Sequence, residues 1–275
     1  MEWSKYSCVH QGAYAHAKNS QKLTFEPSAC SLPDVTMNSQ VFQSGRRIVF
    51  AGDSLIRQVF IAFACLLFPH VQSYNAGWQK CGGRAWACHN TLNCIKCGAH
   101  SGFGKGNVTL VNGSSLHYDR SIDWSIAPRS TDVYVVETGV HGNDPHTMAQ
   151  HRLREFVTRL LSANSTVIWL ITPQESFPSA SGNGLYNATF LAGRAKTMCA
   201  KSSRAVRSAG EWQALHEEHR ILSKLAGVIE LDGLNHQGDA KIGGGVGAHG
   251  DCQHYCMPGV PDFLARAVFA MLLHS

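Results

Sequence analysis

Three side chains near opposite ends of the chain, Ser54, Asp251 and His254, have the types and the spacing needed for acyl transfer. Ser54 ends the triplet GDS, and the other two residues begin and end the segment DCQH. In this chemistry the histidine takes the proton of the serine, and the carboxylate holds the imidazole in the correct tautomer. The residues alone also permit a plainer interpretation, in which the triplet only caps a helix and the Asp–His pair lies on the surface.

The surroundings of the serine would suit an anionic intermediate. Ser54 is predicted at the first turn of a helix, where free backbone N–H groups and the positive end of the helix dipole stabilise negative charge. A second segment, ETGVHGND, follows a predicted strand and could supply a backbone N–H or side-chain donors, although an ordinary loop would have the same composition. The candidate oxyanion and substrate residues are Gly52, Asp53, Arg57, Gly139, His141, Asn143 and Tyr255.

Apolar runs alternate with amphipathic segments along the chain, and these elements must position the candidate residues. Strands are predicted over 46–51, 108–111, 115–118, 132–137, 166–172 and 228–232, and helices over 55–68, 146–163, 210–226 and 259–273. Such alternation predicts a parallel sheet covered by helices on both faces. Sites in these sheets lie at the carboxyl ends of the strands, and the candidate residues follow predicted strands.

The composition is that of a folded globular protein. Of the 275 residues, 44% are hydrophobic and 16% are charged, which excludes a disordered chain. The net charge of +5 is spread without blocks of one sign, so the sequence does not favour nucleic acid, although an anionic ligand would fit. The most apolar stretch, 48–68, is interrupted by Asp53 and Arg57, and we expect any membrane anchor or signal to lie outside this chain.

Cysteines and glycosylation motifs indicate an oxidising compartment. The chain has 10 cysteines spread along its length, and such an even count is typical of disulfides. Asn-x-Ser/Thr motifs point the same way, and they begin at Asn107, Asn112, Asn164 and Asn187. Together these features favour a protein of the secretory pathway.

Two longer segments resemble one known family. FAGDSLIRQVFIAFACLL resembles the GDS block of the trichome-birefringence-like proteins, and DCQHYCMPGVPDFL resembles their DxxH block. These proteins form the PC-esterase group of the SGNH/GDSL superfamily. The first block agrees at Gly52, Asp53, Ser54, Leu55, Arg57 and Cys65. Upstream, Cys8 and the segment CSLP at 30–33 look like the end of the family's Cys-rich region, so the resemblance brackets nearly the whole chain.

The resemblance implies a fold and a reaction. The fold would be a three-layer α/β/α domain with a central parallel sheet over 46–275, preceded by a Cys-containing segment, 1–45, and carrying a Cys- and Gly-rich insertion at 75–106. The reaction would be O-acetylation of cell-wall polysaccharide in the Golgi lumen. Ser54 would carry the acetyl group, with His254 as base and Asp251 as its orienting carboxylate. An acetyl donor such as acetyl-CoA would be a co-substrate, with no bound cofactor or metal.

The resemblance also implies a pattern of disulfides. It pairs Cys8 with Cys256 and Cys199 with Cys252, which would fasten the loop of Asp251 and His254. The family partners of Cys30 and Cys65 lie upstream of this chain, so we predict that these two cysteines pair with each other. Two local bridges are expected among the cysteines of the insertion, Cys81, Cys88, Cys94 and Cys97. A zinc knuckle built from these thiolates with His89 is the alternative.

Departures from the family pattern concern the acceptor and donor sites and not the triad, and three classes of function are considered. The family segment NTGHWW is replaced by ETGVHG, and the family's middle-strand arginine has only weak counterparts in Arg84 and Arg120. The first hypothesis is a glycan O-acetyltransferase with a polysaccharide acceptor. The second is an O-acetyl esterase that uses the same triad with water as acceptor. The third is a carbohydrate-binding protein with a vestigial triad, which the intact serine, histidine and aspartate argue against.

Overall fold

The structure is a computed structural model, which describes residues 32–52, 54–76, 105–119, 127–137, 150–170, 227–229 and 260–274. The strands of these ranges are β1 (Arg47–Ala51), β2 (Val71–Ala76), β3 (Lys105–Leu110), β4 (Ser115–Asp119), β5 (Val133–Val136), β6 (Thr166–Leu170) and β7 (Gly227–Ile229). The α-helices are α1 (Ser54–Leu66), α2 (Gln150–Ser162) and α3 (Val260–His274), with a 3-10 turn at Phe68–His70. Within these ranges no helix is both long and apolar enough to span a membrane.

The described strands form one seven-stranded sheet in the order β2-β3-β4-β1-β5-β6-β7. From β4 to β7 neighbouring strands are parallel, and β1 lies between β4 and β5. The strands β1, β5 and β6 are short and almost wholly apolar, and their side chains are buried on both faces of the sheet. This is the sequence signature of parallel strands that are covered on both sides.

The expectation of a parallel sheet is wrong at one edge, where β2, β3 and β4 pair antiparallel. A turn of four residues, 111–114, joins β3 to β4. A connection this short can join only antiparallel strands, because parallel strands need a long crossover. Strand β2 was not predicted because VQSYNA is polar and lacks a clean alternation. The predicted insertion is correspondingly shorter at both ends, since residues 75–76 belong to β2 and residues 105–106 to β3.

Helices cover both faces of the sheet. Helices α1 and α3 pack on one face in a single core with Ile48, Phe50 and residues of the neighbouring strands. Helix α2 packs on the other face, where its Phe156, Val157 and Leu160 meet Val49 and residues of β5 and β6. The described residues therefore form three layers, α/β/α, around β1.

Helix α1 is buried around almost its whole circumference. Its residues from Leu55 to Cys65 are all buried, because the sheet lies on one side and α3 on another. Aromatic rings fix its position: Phe63 contacts both Phe50 of β1 and Phe269 of α3. A helix that is apolar around most of its circumference belongs in the interior, and this one carries the predicted nucleophile at its first residue.

The segment before β1 also enters this core. Val35, Val41 and Phe42 are buried with α1 and α3, and the Phe42 ring stacks on Phe269 at 6.2 Å between centroids. Arg266 of α3 makes a salt bridge of 3.0 Å with Asp34, whose side chain is 78% exposed. Residues 1–31 of the predicted N-terminal segment lie outside the described residues.

A buried carboxylate ties β1 to β5 at their amino ends. Asp132 has no exposed side-chain surface, and it accepts hydrogen bonds from Arg47 Nε at 3.0 Å and from Arg47 Nη2. Arg129 adds its backbone N–H at 2.9 Å and two guanidinium bonds of 3.0 and 3.1 Å. Burial alone would raise the pKa of Asp132, but the hydrogen bonds from the two arginines lower it below its ordinary value of 3.8.

We expect Asp132→Ala to destabilise the fold by about 3 kcal/mol, the low end for breaking a buried ion pair, because both arginines keep some access to water. Since folding lowers the pKa of Asp132, its contribution is complete above pH 3.8 and is lost as the pH falls through the folded value. Urea unfolding of both proteins at neutral pH and near pH 3 measures this, and their difference should shrink in acid.

Asp34→Ala is the matched control, because Asp34 pairs with an arginine at the surface. An exposed pair contributes about 0–1 kcal/mol, so this variant should remain close to the wild type. Equal losses in the two variants would contradict the role given to the buried carboxylate.

Candidate functional site

The first residue of α1, Ser54, follows the carboxyl end of β1. From β1 the chain passes to α1 on one face of the sheet, whereas from the neighbouring β5 it passes to α2 on the opposite face. At such a switch point the two connections diverge and leave a crevice at the carboxyl edge, where α/β proteins bind their ligands. The predicted boundary between strand and helix is thus found at the place in the sheet where a site is expected.

Backbone hydrogen bonds continue past the end of β1 on both sides. The Gly52 N–H donates to the carbonyl of Asp119 at 3.2 Å, and the Glu137 N–H donates to the carbonyl of Ala51 at 3.0 Å. The turn before Ser54 is therefore clamped between the ends of β4 and β5. The amide of Gly52 is engaged in this ladder, and its place in an oxyanion site stays a prediction.

Gly52 has a steric reason to be glycine. Its φ is +152°, a conformation that side chains with a Cβ rarely adopt. A Cβ there would lie 2.8 Å from the Glu137 carbonyl oxygen and 3.0 Å from Cγ2 of Ile56. The absence of a side chain allows the end of β5 to approach the turn that leads into Ser54.

Glu137 is a residue of the site that the sequence interpretation missed. Its side chain is fully buried, and its Oε2 accepts a hydrogen bond of 3.1 Å from the backbone N–H of Ile56. The first N–H groups of a helix have no partner within the helix, and α1 has no acidic side chain in its own first turn. The Glu137 side chain, which follows β5 directly, therefore caps the start of α1 by accepting one of these N–H groups.

This contact limits the choice of oxyanion donors. The Ile56 amide is occupied by Glu137, so a developing oxyanion would have to use other amides or side chains near Ser54. A signal for Glu137 was present in the sequence: the run DVYVVE places a carboxylate directly after an apolar strand, at the edge where sites lie. The sequence could not show that it reaches a helix 81 residues away in the chain.

Further polar side chains of α1 are buried close to its first turn. Arg57, a predicted candidate, is 5% exposed, and Gln58 is 1% exposed. Arg57 follows Ser54 by three residues, which is about one helical turn. A polar group buried at this depth is costly unless it has a partner, and neither residue is without one.

Cys65 is buried in α1 and forms a disulfide bond. It is the one cysteine within the described residues, so its partner lies outside them. The specific pairing with Cys30 stays a prediction.

The other predicted site residues lie outside the described residues. They are Asp53, Gly139, His141, Asn143, Asp251, His254 and Tyr255. The cysteines for which the resemblance implies pairing, Cys8, Cys199, Cys252 and Cys256, also lie outside them, as does the chain between β2 and β3. The approach of His254 and Asp251 to Ser54 stays a prediction. In the described parts of the chain, no group of side chains forms that could hold a metal ion.

A Ser–His pair is present at the amino ends of the strands, opposite to the end at which Ser54 lies. Ser115 Oγ lies 2.8 Å from Nε2 of His117, and both residues belong to β4. Burial lowers the pKa of His117, and the positive charge of Arg47 lowers it further. Ser115 is paired in register with Arg47, the first residue of β1, so it lies about 13 Å from the carboxyl end of that strand. Ser115 is therefore a control for Ser54: a serine beside a histidine, but far from the end of the sheet where a site is expected.

The chain is similar to a plant enzyme over most of its length. It is 22% identical over 299 aligned positions to "Probable xylan O-acetyltransferase 11" of rice, Oryza sativa subsp. japonica. The alignment covers 88% of this chain and 73% of the rice protein. No family model matches the chain, and no solved structure matches it.

Proposed function

We propose that the protein is an O-acetyltransferase that moves an acetyl group to a hydroxyl of a polysaccharide through an acetyl-serine at Ser54. The observation that carries the proposal is the position of Ser54, at the start of a buried helix and at the switch point of the sheet. The similarity to a protein named as a xylan O-acetyltransferase supports the acyl group and the class of acceptor. The resemblance of the GDS and DxxH segments supports an SGNH-type mechanism.

In the first proposed step, Ser54 Oγ attacks the carbonyl carbon of the acetyl donor while His254 takes the serine proton. Asp251 holds the imidazole and stabilises its cationic form. The tetrahedral intermediate then collapses, the bond to the leaving group breaks, and His254 returns the proton to that group. The acetyl group is left on Ser54 as an ester.

In the second step, a sugar hydroxyl replaces the donor. Its oxygen attacks the acetyl carbon while its proton passes to His254, and the ester bond to Ser54 breaks as the serine regains that proton. Water would compete in this step, so a transferase must hold the sugar hydroxyl in the attacking position and keep water away from the ester.

We further propose that the protein acts in the secretory pathway, in the Golgi lumen. The disulfide at Cys65 supports an oxidising compartment, where such bonds persist. Polysaccharide acceptors and the sequence motifs for N-glycosylation fit the same compartment.

The acceptor can be tested with the acetylated enzyme. The protein is first loaded with isotope-labelled acetyl from an activated ester, freed of excess ester, and then mixed with xylo-oligosaccharides or with buffer alone. We expect labelled acetyl on the sugar to exceed labelled acetate when the oligosaccharide is present, because a bound hydroxyl competes with water at the same ester. Mass spectrometry of the sugars and of free acetate measures both products.

Cello-oligosaccharides of the same length are the control for the choice of sugar. If every glycan tried leaves all of the label as acetate, the transferase proposal fails and the protein is an acetyl esterase. If the enzyme takes up no label from the ester, the acetyl-serine step fails as well.

A further inference from the structure

Three of the N-glycosylation motifs lie in described parts of the fold, and their asparagines are in different environments. Asn112 lies in the turn between β3 and β4, Asn107 lies within β3, and Asn164 follows α2. A glycan is attached to the side-chain nitrogen, Nδ2, which must project into solvent in the finished protein. The three asparagines can therefore be compared by whether their Nδ2 atom is free to project into solvent.

Asn112 is used as a structural residue. Its Nδ2 donates to the carbonyl of Phe42 at 2.5 Å, and its Oδ1 accepts from the N–H and the hydroxyl of Ser114 at 3.1 and 2.7 Å. These bonds fasten the turn to a segment whose Phe42 ring is buried in the core. A sugar on Nδ2 would disturb the contact with the Phe42 carbonyl.

Asn107 is enclosed by the sheet. It is partly buried in β3, between strands β2 and β4, and is paired in register with His117. Its Oδ1 has essentially no contact with solvent. A glycan at this position would have to pass between side chains of the neighbouring strands.

Asn164, unlike Asn107 and Asn112, has a side chain that is exposed to solvent. It is exposed and has a φ of +56°, the left-handed conformation that ends many helices. Its N–H donates to the carbonyl of Leu161 at 2.9 Å, and the Ser165 N–H donates to that of Leu160 at 3.0 Å, which together form a Schellman motif. The backbone of Asn164 thus closes α2, and within the described residues its side chain makes no hydrogen bond.

We propose that Asn164 carries an N-linked glycan in the folded protein and that Asn107 and Asn112 do not. The donor is an oligosaccharide joined to a lipid through a diphosphate. The Asn164 Nδ2 forms a bond to the anomeric carbon, the bond from that carbon to the diphosphate breaks, and one amide proton leaves. This inference rests on the proposed passage through the secretory pathway, but not on acetyl transfer.

The position of Asn164 is compatible with the proposed activity. Asn164 lies two residues before Thr166, the first residue of β6, and the Ser165 hydroxyl donates a hydrogen bond of 2.9 Å to the carbonyl of Arg129 at the same end of the strands. Ser54 lies at the carboxyl edge, beyond the end of the neighbouring parallel strands. A glycan on Asn164 therefore leaves that edge open, and its loss should not change acetylation of Ser54.

The test uses the full chain, secreted from a eukaryotic host behind a cleavable leader. A peptide N-glycanase in heavy-oxygen water converts each glycosylated asparagine to a labelled aspartate, which peptide mass spectrometry locates. We expect the label in the Asn164 peptide and not in the Asn107 or Asn112 peptides. Thr166→Val removes the motif but keeps Asn164 as helix cap, so it should remove the mass of one glycan.

Ser114→Ala is the matched variant, because it removes the Asn112 motif and keeps Asn112 itself. This variant should retain every glycan of the wild type. A secreted protein with an unmodified Asn164, or with a glycan on Asn107 or Asn112, would overturn the proposal. Uptake of acetyl by Ser54 is measured on the same samples, so failure here and failure of the proposed acyl transfer are told apart.

Discussion

Ser54→Ala is expected to abolish uptake of acetyl from an activated ester, with a loss of at least about 10³-fold in rate, because the change removes the hydroxyl on which the proposed acetyl ester forms. The fold should persist, since alanine is a good helix former at the first residue of α1. Intact-mass measurement after incubation with labelled ester gives the extent of acetylation. Peptide mapping then locates the label, which in the wild type should be on the peptide that contains residue 54.

Ser115→Ala is the matched control for this experiment. Ser115 lies beside an imidazole with a lowered pKa, so it has the local appearance of an activated serine, yet it lies at the amino edge of the sheet. We expect this variant to be acetylated like the wild type. Persistent acetylation of Ser54→Ala, or label on Ser115, would remove the assignment of Ser54 as nucleophile.

Gly52→Ala is expected to lower the free energy of unfolding by about 4 kcal/mol and to impair acetylation of Ser54. The backbone conformation at φ +152° costs a residue with a Cβ about 1–3 kcal/mol. The contact of 2.8 Å with the Glu137 carbonyl adds overpacking of about 1–3 kcal/mol. Relief of this contact would push β5 away from the first turn of α1 and weaken the Glu137–Ile56 hydrogen bond.

Gly45→Ala separates the effect of backbone strain from the effect of the collision with Glu137. Gly45 also has a positive φ, +75°, but a Cβ there would meet nothing within 4 Å. This variant should lose only about 1–2 kcal/mol and keep full acetylation, because it carries the backbone strain without the collision. Urea unfolding and acetyl uptake are measured on both variants. Similar losses of stability and activity in the two would show that the approach of β5 to Gly52 is unimportant.

The central strands and the helices next to them could be predicted from the sequence because their signals are local. The apolar run before GDS predicts β1, and the helix was placed within two residues of the observed ends of α1. Antiparallel β2 could not be predicted, because a polar edge strand is defined by its partner and not by its own periodicity.

The sequence by itself determined that a serine stands between a buried strand and a buried helix. Tertiary structure decided what contacts the first turn of the helix that begins at this serine, because Glu137 reaches Ile56 across 81 residues. It also decided what joins the strands at their other end, where Arg47 reaches Asp132 across 85 residues. It also decided that Asn112 is a structural residue, because its side chain bonds to Phe42 across 70 residues. Local patterns extend over a few residues, whereas these contacts exist only after the strands have been placed in the order of the sheet.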